Sequence, residues 1–448
     1  MGVKNFYKYF RKTFQTSITS FIYPKHDVLM VELNGLFYSA VRDLQHEGVK
    51  KNSFKLQSRL FLQVVHLLED ILLKNPPNKK LVLIVDGVAG MMKVHEQKQR
   101  RYKNILENKY DFFDLNAFTP GTKLMHHLTK YIDYYLRSFL NQHEIYRNVK
   151  IYFSNEKVHG EGEVKLCKFI KNYCSLEEII LIYNSDSDTI CLSLLQEHNI
   201  IICRNSVLYG KEYINMSSCR NQILERMVSK ENNNRQSIMM DFLLLLFLLG
   251  NDYIDTSPSI DGFPTIYETI LPLYQQNSKP FTKLCNGKSV LDIPVICKFI
   301  ELISFHERQW IMNRYRENNG YFPNQLYLPA FRKRSFCMDR YKKKHHLHYM
   351  NHTSLDDQNL LYFQTLQEYL NICLYQKLTS FYYPCEKPPF LSDISFSSKL
   401  DFKFQNYFLS PDIQFPHESF FYLCWILPPQ SKYLLPEALQ EFHTVFDI

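Results

Sequence analysis

Five short runs of the chain are almost wholly apolar: Val28–Leu33, Leu81–Val85, Val149–Phe153, Ile179–Tyr183 and Asn199–Cys203. A strand with one face in water alternates apolar and polar residues, so uninterrupted runs predict strands covered on both faces. Between them the period lengthens. Leu60, Phe61, Val64, Val65, Leu68, Ile71 and Leu72 recur at three- and four-residue spacing, one face of a helix. A second helix is expected after Thr119-Pro120-Gly121-Thr122, running through Leu124, Leu128, Ile132 and Leu136. Strands alternating with helices predict an α/β fold with a mostly parallel sheet flanked by helices. The texture changes near Asp261. From there helices, the clearest over Ile293–Arg316, are broken by Pro-rich and aromatic loops, and the domain boundary is expected near residue 265.

The chain has 448 residues, enough to bury a full core and to form more than one domain. A formal charge of +8 is a mild basic bias, compatible with an anionic polymer as partner but far from ribosomal basicity. Eleven scattered cysteines with no C-x-x-C pair argue against a disulfide framework and for a reducing compartment. The opening MGVKNFYKYF has no apolar core of a signal peptide, and Phe6 stands where a myristoylation signal wants Ser or Thr. The longest apolar run, Phe242–Leu249, is too short to cross a bilayer. An intracellular protein is expected, cytoplasmic or else nuclear, with no membrane contact.

Ligands of open α/β sheets bind beyond the carboxyl ends of the strands, and here those ends are acidic. Val28–Val31 of the first run leads into Glu32, the second run into Asp86, and the fourth into Asn184-Ser185-Asp186-Ser187-Asp188. After Val149–Phe153 comes His159-Gly160-Glu161-Gly162-Glu163 at a helix start, and Gly250-Asn251-Asp252 closes the apolar helix Phe242–Leu249. A lone Asp after a strand is usually a helix cap or turn residue, and Glu-Gly-Glu alone a solvated turn. Such sites in conjunction point elsewhere. Converging carboxylates repel unless cations neutralise them, and hard divalent ions prefer oxygen ligands. Two ions roughly 4 Å apart would activate water and stabilise the leaving oxygen of a phosphodiester.

A basic helix is expected one strand away. In Met91–Arg101 the positions Lys93, Gln97 and Arg100 or Arg101 share a face, suited to a terminal phosphate. Alone it would be a solvated basic helix; its place after Asp86 raises its interest. A further basic stretch runs from Arg332 through Lys344 into His345, His346 and His348, read as solvated surface or a path for an anionic polymer rather than a zinc site.

In this order the pieces resemble the eukaryotic 5′→3′ exoribonucleases, the XRN family, whose metal-site layout is shared with flap endonucleases. The resemblance is carried by Met1-Gly2-Val3, Glu32-Leu33-Asn34-Gly35, Val85-Asp86-Gly87-Val88-Ala89, Thr119-Pro120-Gly121-Thr122, Gly160-Glu161-Gly162-Glu163, Asp186-Ser187-Asp188 and Gly250-Asn251-Asp252. Later come Phe381-Tyr382-Tyr383-Pro384, Pro389-Phe390-Leu391-Ser392-Asp393 and Leu427-Pro428-Pro429-Gln430-Ser431-Lys432, a block that flap endonucleases lack. The resemblance implies a nuclease core over 1–265, and a helical, aromatic-loop region over 266–448 that packs on it and completes the 5′-end pocket. It implies Mg2+ or Mn2+, two ions, held by Glu32, Asp86, Glu161, Glu163, Asp186, Asp188 and Asp252, all but the first also counted as catalytic. Lys93, Gln97, Arg100 and Arg101 fall at the 5′-monophosphate pocket, with Asn34 on the substrate side. Tyr38 and Phe381 stand where the family places a His and a Trp that sandwich the terminal base. The implied reaction is processive hydrolysis of 5′-monophosphorylated single-stranded RNA to nucleoside 5′-monophosphates, as in RNA degradation and mRNA decay.

Three departures qualify the match. Glu32 replaces an Asp, so its carboxylate reaches one methylene further, and a shift of preference toward manganese is expected. Both stacking positions are substituted, each by an aromatic. The chain is also shorter than typical members, without their appended C-terminal domains, and its length resembles the compact forms of large DNA viruses. The main competing reading is a flap- or 5′-exonuclease acting on DNA; no G-x-G hairpin signature follows Asp252 to support it. A catalytically weak RNA-binding protein is a third, motivated only by Glu32.

Overall fold

The computed structural model describes residues 6–20, 25–49, 55–106, 112–206, 209–230, 232–260, 262–277, 279–317, 331–332, 335–349, 353–409 and 419–440. Met1-Gly2-Val3, Asp261 and Lys333-Arg334 of the basic stretch lie outside them. The chain forms two compact units. One comprises Thr16–Ser217, Tyr375–Ser380 and Gln414–Ile448; the other Met1–Gln15, Ser218–Leu374 and Phe381–Ile413. The division thus falls at 217/218 where the sequence reading put it near 265, and two later stretches return to the first unit.

The first unit is built on a seven-stranded sheet: β1 (Ile18–Thr19), β2 (Val28–Glu32), β3 (Lys80–Ile84), β4 (Lys150–Ser154), β5 (Ile179–Tyr183), β6 (Asn199–Ser206) and β7 (Gly210–Asn215), in the order β1-β7-β6-β5-β2-β3-β4. Strands β2 to β6 pair in parallel, and β7 and β1 add an antiparallel margin. The five expected strands are all present. The margin was not anticipated, because Gly-Lys-Glu-Tyr-Ile-Asn at 210–215 is too polar to read as a buried run. The chain steps from β2 outward to β4, then returns to place β5 on the other side of β2. That reversal opens a crevice at the carboxyl ends of β2 and β5, the place where open α/β sheets bind ligands.

One face of the sheet is covered by helices whose apolar positions are those the periodicity marked. In Leu56–Lys74 the seven named side chains are the buried ones, each such burial being worth about 1.5–3 kcal/mol. Lys123–Gln142 contributes Leu128, Ile132 and Leu136 to the same core. It starts at Thr122, whose hydroxyl accepts from Met125 N–H at 3.2 Å, so the Thr-Pro-Gly-Thr stretch ends in an N-cap. The helix Gly162–Tyr173 lies against β2 and β3.

The second unit is mainly helical, with short hairpins at Thr282–Leu291 and Phe331–Phe336. The single helix expected over Ile293–Arg316 is two, Ile293–Ser304 and Glu307–Glu317. The break lets buried Glu307 turn inward, where it accepts from the Leu391 N–H at 2.8 Å and from the hydroxyls of Ser259 and Ser392. Asp241 is a second buried carboxylate, on the helix Arg235–Phe247. It accepts from Tyr274 Oη at 2.6 Å and the Phe281 N–H at 3.1 Å. Burial pushes its pKa up from 3.8 to about 7. The folded state therefore binds more protons than the unfolded state between about pH 4 and pH 7, and stability falls as pH rises through that window. Thermal midpoints from pH 4 to 8 should show this fall, and Asp241→Asn should flatten it. An unchanged slope in the variant would remove Asp241 as its source.

Candidate active site

Glu32 ends β2, and its carboxylate folds back on the helix that follows, Asn34–His46: Oε1 accepts from the Asn34 N–H at 2.9 Å, and Gly35 supplies a second backbone bond. Asn34 is buried, and its Oδ1 accepts from the Asp86 N–H at 2.9 Å. Asn34, expected on the substrate side, braces the ends of β2 and β3 against each other through this bond. A short amide just past a strand end, with one face toward the neighbouring strand, was the signal for this role.

Asp86 lies two residues past β3. Its Oδ1 accepts from the Gly162 N–H at 2.6 Å, at the start of the helix Gly162–Tyr173. The Asp-Gly loop is pinned to the Gly-Glu-Gly-Glu loop by paired backbone bonds, Gly87 N–H to Gly160 O at 2.9 Å and Gly160 N–H to Val88 O at 2.8 Å. Gly87 has no room for a side chain: a Cβ would lie 1.9 Å from Val158 O. Asp186 caps the helix Ser187–Leu194, its Oδ1 accepting from the Asp188 N–H at 3.1 Å. The cap reading and the site reading of this residue are thus compatible, since one oxygen serves the helix.

The electrostatics bring these groups into one field. Burial, then the Asp86 carboxylate, pushes the Glu32 pKa from 4.5 to about 8. Burial and Glu161 raise Asp86; burial followed by Asp186, Asp86, Glu32 and Glu161 raises Glu163 well above the usual range. Burying like charges in this way is costly unless cations or protons intervene. Among the described residues, however, no three His, Cys, Asp or Glu side chains close into a ready cation cage. The backbone N–H groups that hold Glu32, Asp86 and Asp186 keep each oxygen near its own strand end. The donor set is all hard oxygen, which fits divalent cations such as magnesium or manganese. Asp252 belongs to the other unit, where it is buried in the turn closing the helix Arg235–Phe247, next to Asn251, whose Oδ1 accepts from the Tyr253 N–H at 2.8 Å. Its assignment to the same centre rests on the resemblance alone.

Two lysines enter this field. Lys93 is buried on the helix Met91–Leu106, with Nζ 3.1 Å from Glu161 Oε1. Lys165 was not singled out by the sequence. It follows Glu163 by two residues, among the buried Val164, Leu166 and Cys167, and its Nζ donates to Val85 O at 2.7 Å and Asn155 O at 3.1 Å. It joins the ends of β3 and β4, and burial lowers its pKa to about 8. A lysine on an apolar helix face was the available sign.

Further along Met91–Leu106, Arg101 donates to Gln97 Oε1 at 3.4 Å and to Thr119 Oγ1 at 3.2 Å, while Arg100 lies 3.7 Å from Glu96 Oε1. Gln97 and Arg101, one turn apart, share a face of this helix. Tyr422, on the helix Ser419–Ile426, donates to Gln97 Oε1. The adjoining turn is fastened by Ser431 Oγ and Tyr433 Oη to Asp114 Oδ2, at 2.6 and 2.9 Å. Tyr38 sits on Asn34–His46, 45% exposed, its ring edge-on to Phe118 at 5.8 Å. Phe381 belongs to the other unit and meets Tyr407 at 6.0 Å. Their pairing as a base sandwich rests on the resemblance alone.

Residues 1–206 match the family model described as XRN 5′-3′ exonuclease N-terminus. The chain is 25% identical to 5′-3′ exoribonuclease 1 of Saccharomyces cerevisiae, over 60% of this chain and 20% of the relative. It is 23% identical to human 5′-3′ exoribonuclease 1, over 99% of this chain and 31% of the relative. For 5′-3′ exoribonuclease 2 of Arabidopsis thaliana the figures are 22%, 65% and 36%. The chain therefore spans no more than about a third of these relatives' length. Among solved structures, the catalytic core of Rad2 in complex with DNA substrate is similar at a TM-score of 0.37 and 12% identity, over 75% of this chain and 84% of that one. The T5 D15 protein co-crystallised with metal ions is similar at 0.31 and 12%, over 66% and 90%. Likenesses this distant bear on neither substrate nor mechanism. The strand-end carboxylates, the basic helix and the 1–206 match agree: over its first 206 residues this chain is similar to the XRN 5′-3′ exonuclease N-terminus.

Proposed function

We propose that the protein is a metal-dependent 5′→3′ exoribonuclease that hydrolyses single-stranded RNA with a 5′-monophosphate, releasing nucleoside 5′-monophosphates. The observation that carries this reading is the juxtaposition, within one compact unit, of crowded carboxylates with the Lys93–Arg101 face of a basic helix. Glu32, Asp86, Glu161, Glu163, Asp186 and Asp188 would hold the cations. When bound, two divalent ions such as magnesium or manganese supply a more acidic water and charge neutralisation at the leaving oxygen. The chain's own part is to hold the strand ends in register through Asn34 and Lys165, and to receive the terminal phosphate on Lys93, Gln97, Arg100 and Arg101. The return of residues 419–440 to the sheet unit supports a pocket completed by the C-terminal region. All eleven cysteines are free, which supports a reducing compartment such as the cytoplasm. Among the described residues no helix is long and apolar enough to cross a membrane.

The test is single-stranded RNA labelled separately at each end and carrying either a 5′-monophosphate or a 5′-hydroxyl, beside the equivalent DNA. The expected outcome is mononucleotide release from the 5′ end, faster by more than about tenfold on the monophosphate, because charge-assisted contacts are worth about 1.5–3 kcal/mol each. Equal rates on both ends would rule out the phosphate pocket. Faster cleavage of the DNA would favour the flap-nuclease reading.

A further inference from the structure

We infer that Tyr422 is a specificity-determining positioning residue, which orients the Gln97 amide so that its NH2 group faces the 5′-phosphate. The inference rests on the proposed exonuclease reading and deepens it at one side chain. Gln97 is buried in the middle of the basic face, and an amide can present either a donor or an acceptor there. With Oε1 outward it would oppose a phosphate; with Nε2 outward it would bind one.

The surroundings decide between these orientations. Arg101 approaches the amide at 3.4 Å, and a guanidinium has only donors, so the atom it meets must be Oε1. The Tyr422 hydroxyl meets the same oxygen and therefore donates to it. Two donors on one oxygen turn Nε2 and its two hydrogens away from both of them. Arg101 alone would hold the amide weakly, since its contact is long at 3.4 Å. Tyr422 is fixed by packing: its ring is buried with Val88, Val94 and Ile426, partly under Met91 and Trp425. The contact spans 325 positions of the chain, so a residue outside the basic helix sets that helix's hydrogen-bonding polarity.

Tyr422→Phe keeps the ring and its packing while removing the donor. On RNA carrying a 5′-monophosphate or a 5′-hydroxyl, the variant's preference for the monophosphate, taken as a ratio of kcat/KM values, should fall about tenfold, the scale of one buried hydrogen bond to a recognition group. The loss should appear mainly as a raised KM for the phosphorylated RNA. Gln97→Ala should lower the same ratio, and adding Tyr422→Phe to it should lower it no further, because the hydroxyl acts through the amide. A purely structural role for Tyr422 would instead make the two losses multiply. An unchanged ratio in Tyr422→Phe, an equal fall on both RNAs, or multiplied losses in the double variant would each overturn the inference. If the wild-type protein itself shows no preference between the two ends, the exonuclease-pocket reading fails first and takes this inference with it.

Discussion

Replacing Asp186 with Asn is expected to lower turnover on 5′-monophosphorylated RNA by roughly a thousandfold, the scale on which transition-state charge stabilisation is lost. The substitution is close to isosteric, and Asn keeps the Oδ1 that accepts from the Asp188 N–H, so the cap of Ser187–Leu194 survives. What disappears is one negative charge at the mouth of the β2–β5 crevice. After burial, the Asp186 charge is the strongest influence raising Glu163, so its loss should let Glu163 ionise more readily. RNA binding should largely persist, because the Lys93–Arg101 face is untouched and a repelling charge has gone. The measurements are single-turnover cleavage in magnesium or manganese, RNA binding by the same preparation, and a circular dichroism melt. Near-normal turnover by Asp186→Asn would sink the two-metal assignment. A melt displaced by many degrees would show that the cap, and not the charge, had been lost.

Much of the sheet unit was legible because its determinants are local. A run such as Ile179–Tyr183, buried over its middle, can only be satisfied between two layers of helices, and the seven apolar positions of Leu56–Lys74 point one way for any partner. The acidic strand ends were legible for the same reason: each motif sits where its own strand stops. Residues whose role depends on a distant partner were not. The contact of Asn34 with the Asp86 N–H and that of Lys165 with Val85 O join residues far apart in the chain, and at most a faint local sign announces either. Tyr422 carries no local sign of its contact with Gln97. The split of Ile293–Arg316 was hidden because the pattern stays helical through residues 305–306, whereas the break answers to Glu307 and its partners at Ser259, Leu391 and Ser392. The return of 375–380 and 414–448 to the sheet unit is likewise a matter of tertiary closure. At its seam the Met91 N–H donates to Thr379 O at 2.8 Å, and a Cβ on Gly90 would come within 3.1 Å of that backbone.

Gly162→Ala should abolish most of the activity while leaving the chain folded. Gly162 opens the helix that carries Glu163, and its N–H donates to Asp86 Oδ1 at 2.6 Å. A Cβ there would lie 2.7 Å from Glu32 Cγ and 3.3 Å from Asp86 Oδ1. The first distance is below any real Cβ contact, and the second requires the carboxylate to give. Both neighbours are side chains, so the clash is relieved by swinging Glu32 and shifting Asp86 instead of tearing backbone apart. Alanine is otherwise favoured in a helix over glycine, by about 0.8–1.0 kcal/mol. The net change in stability is therefore small, yet two carboxylates move from their places. A displacement on the order of 1 Å in a catalytic constellation can cost about a hundredfold, and two displaced carboxylates should cost at least that. Gly87→Ala supplies the contrast: its Cβ meets the backbone of Val158, which cannot swing aside, so that variant should unfold early or fail to accumulate. Cleavage rates and melting midpoints of the two variants, measured side by side, separate the effects. A Gly162→Ala protein with normal turnover would show that Glu32 and Asp86 need not stand where they do, and with that the crowded-carboxylate account of the site would fall.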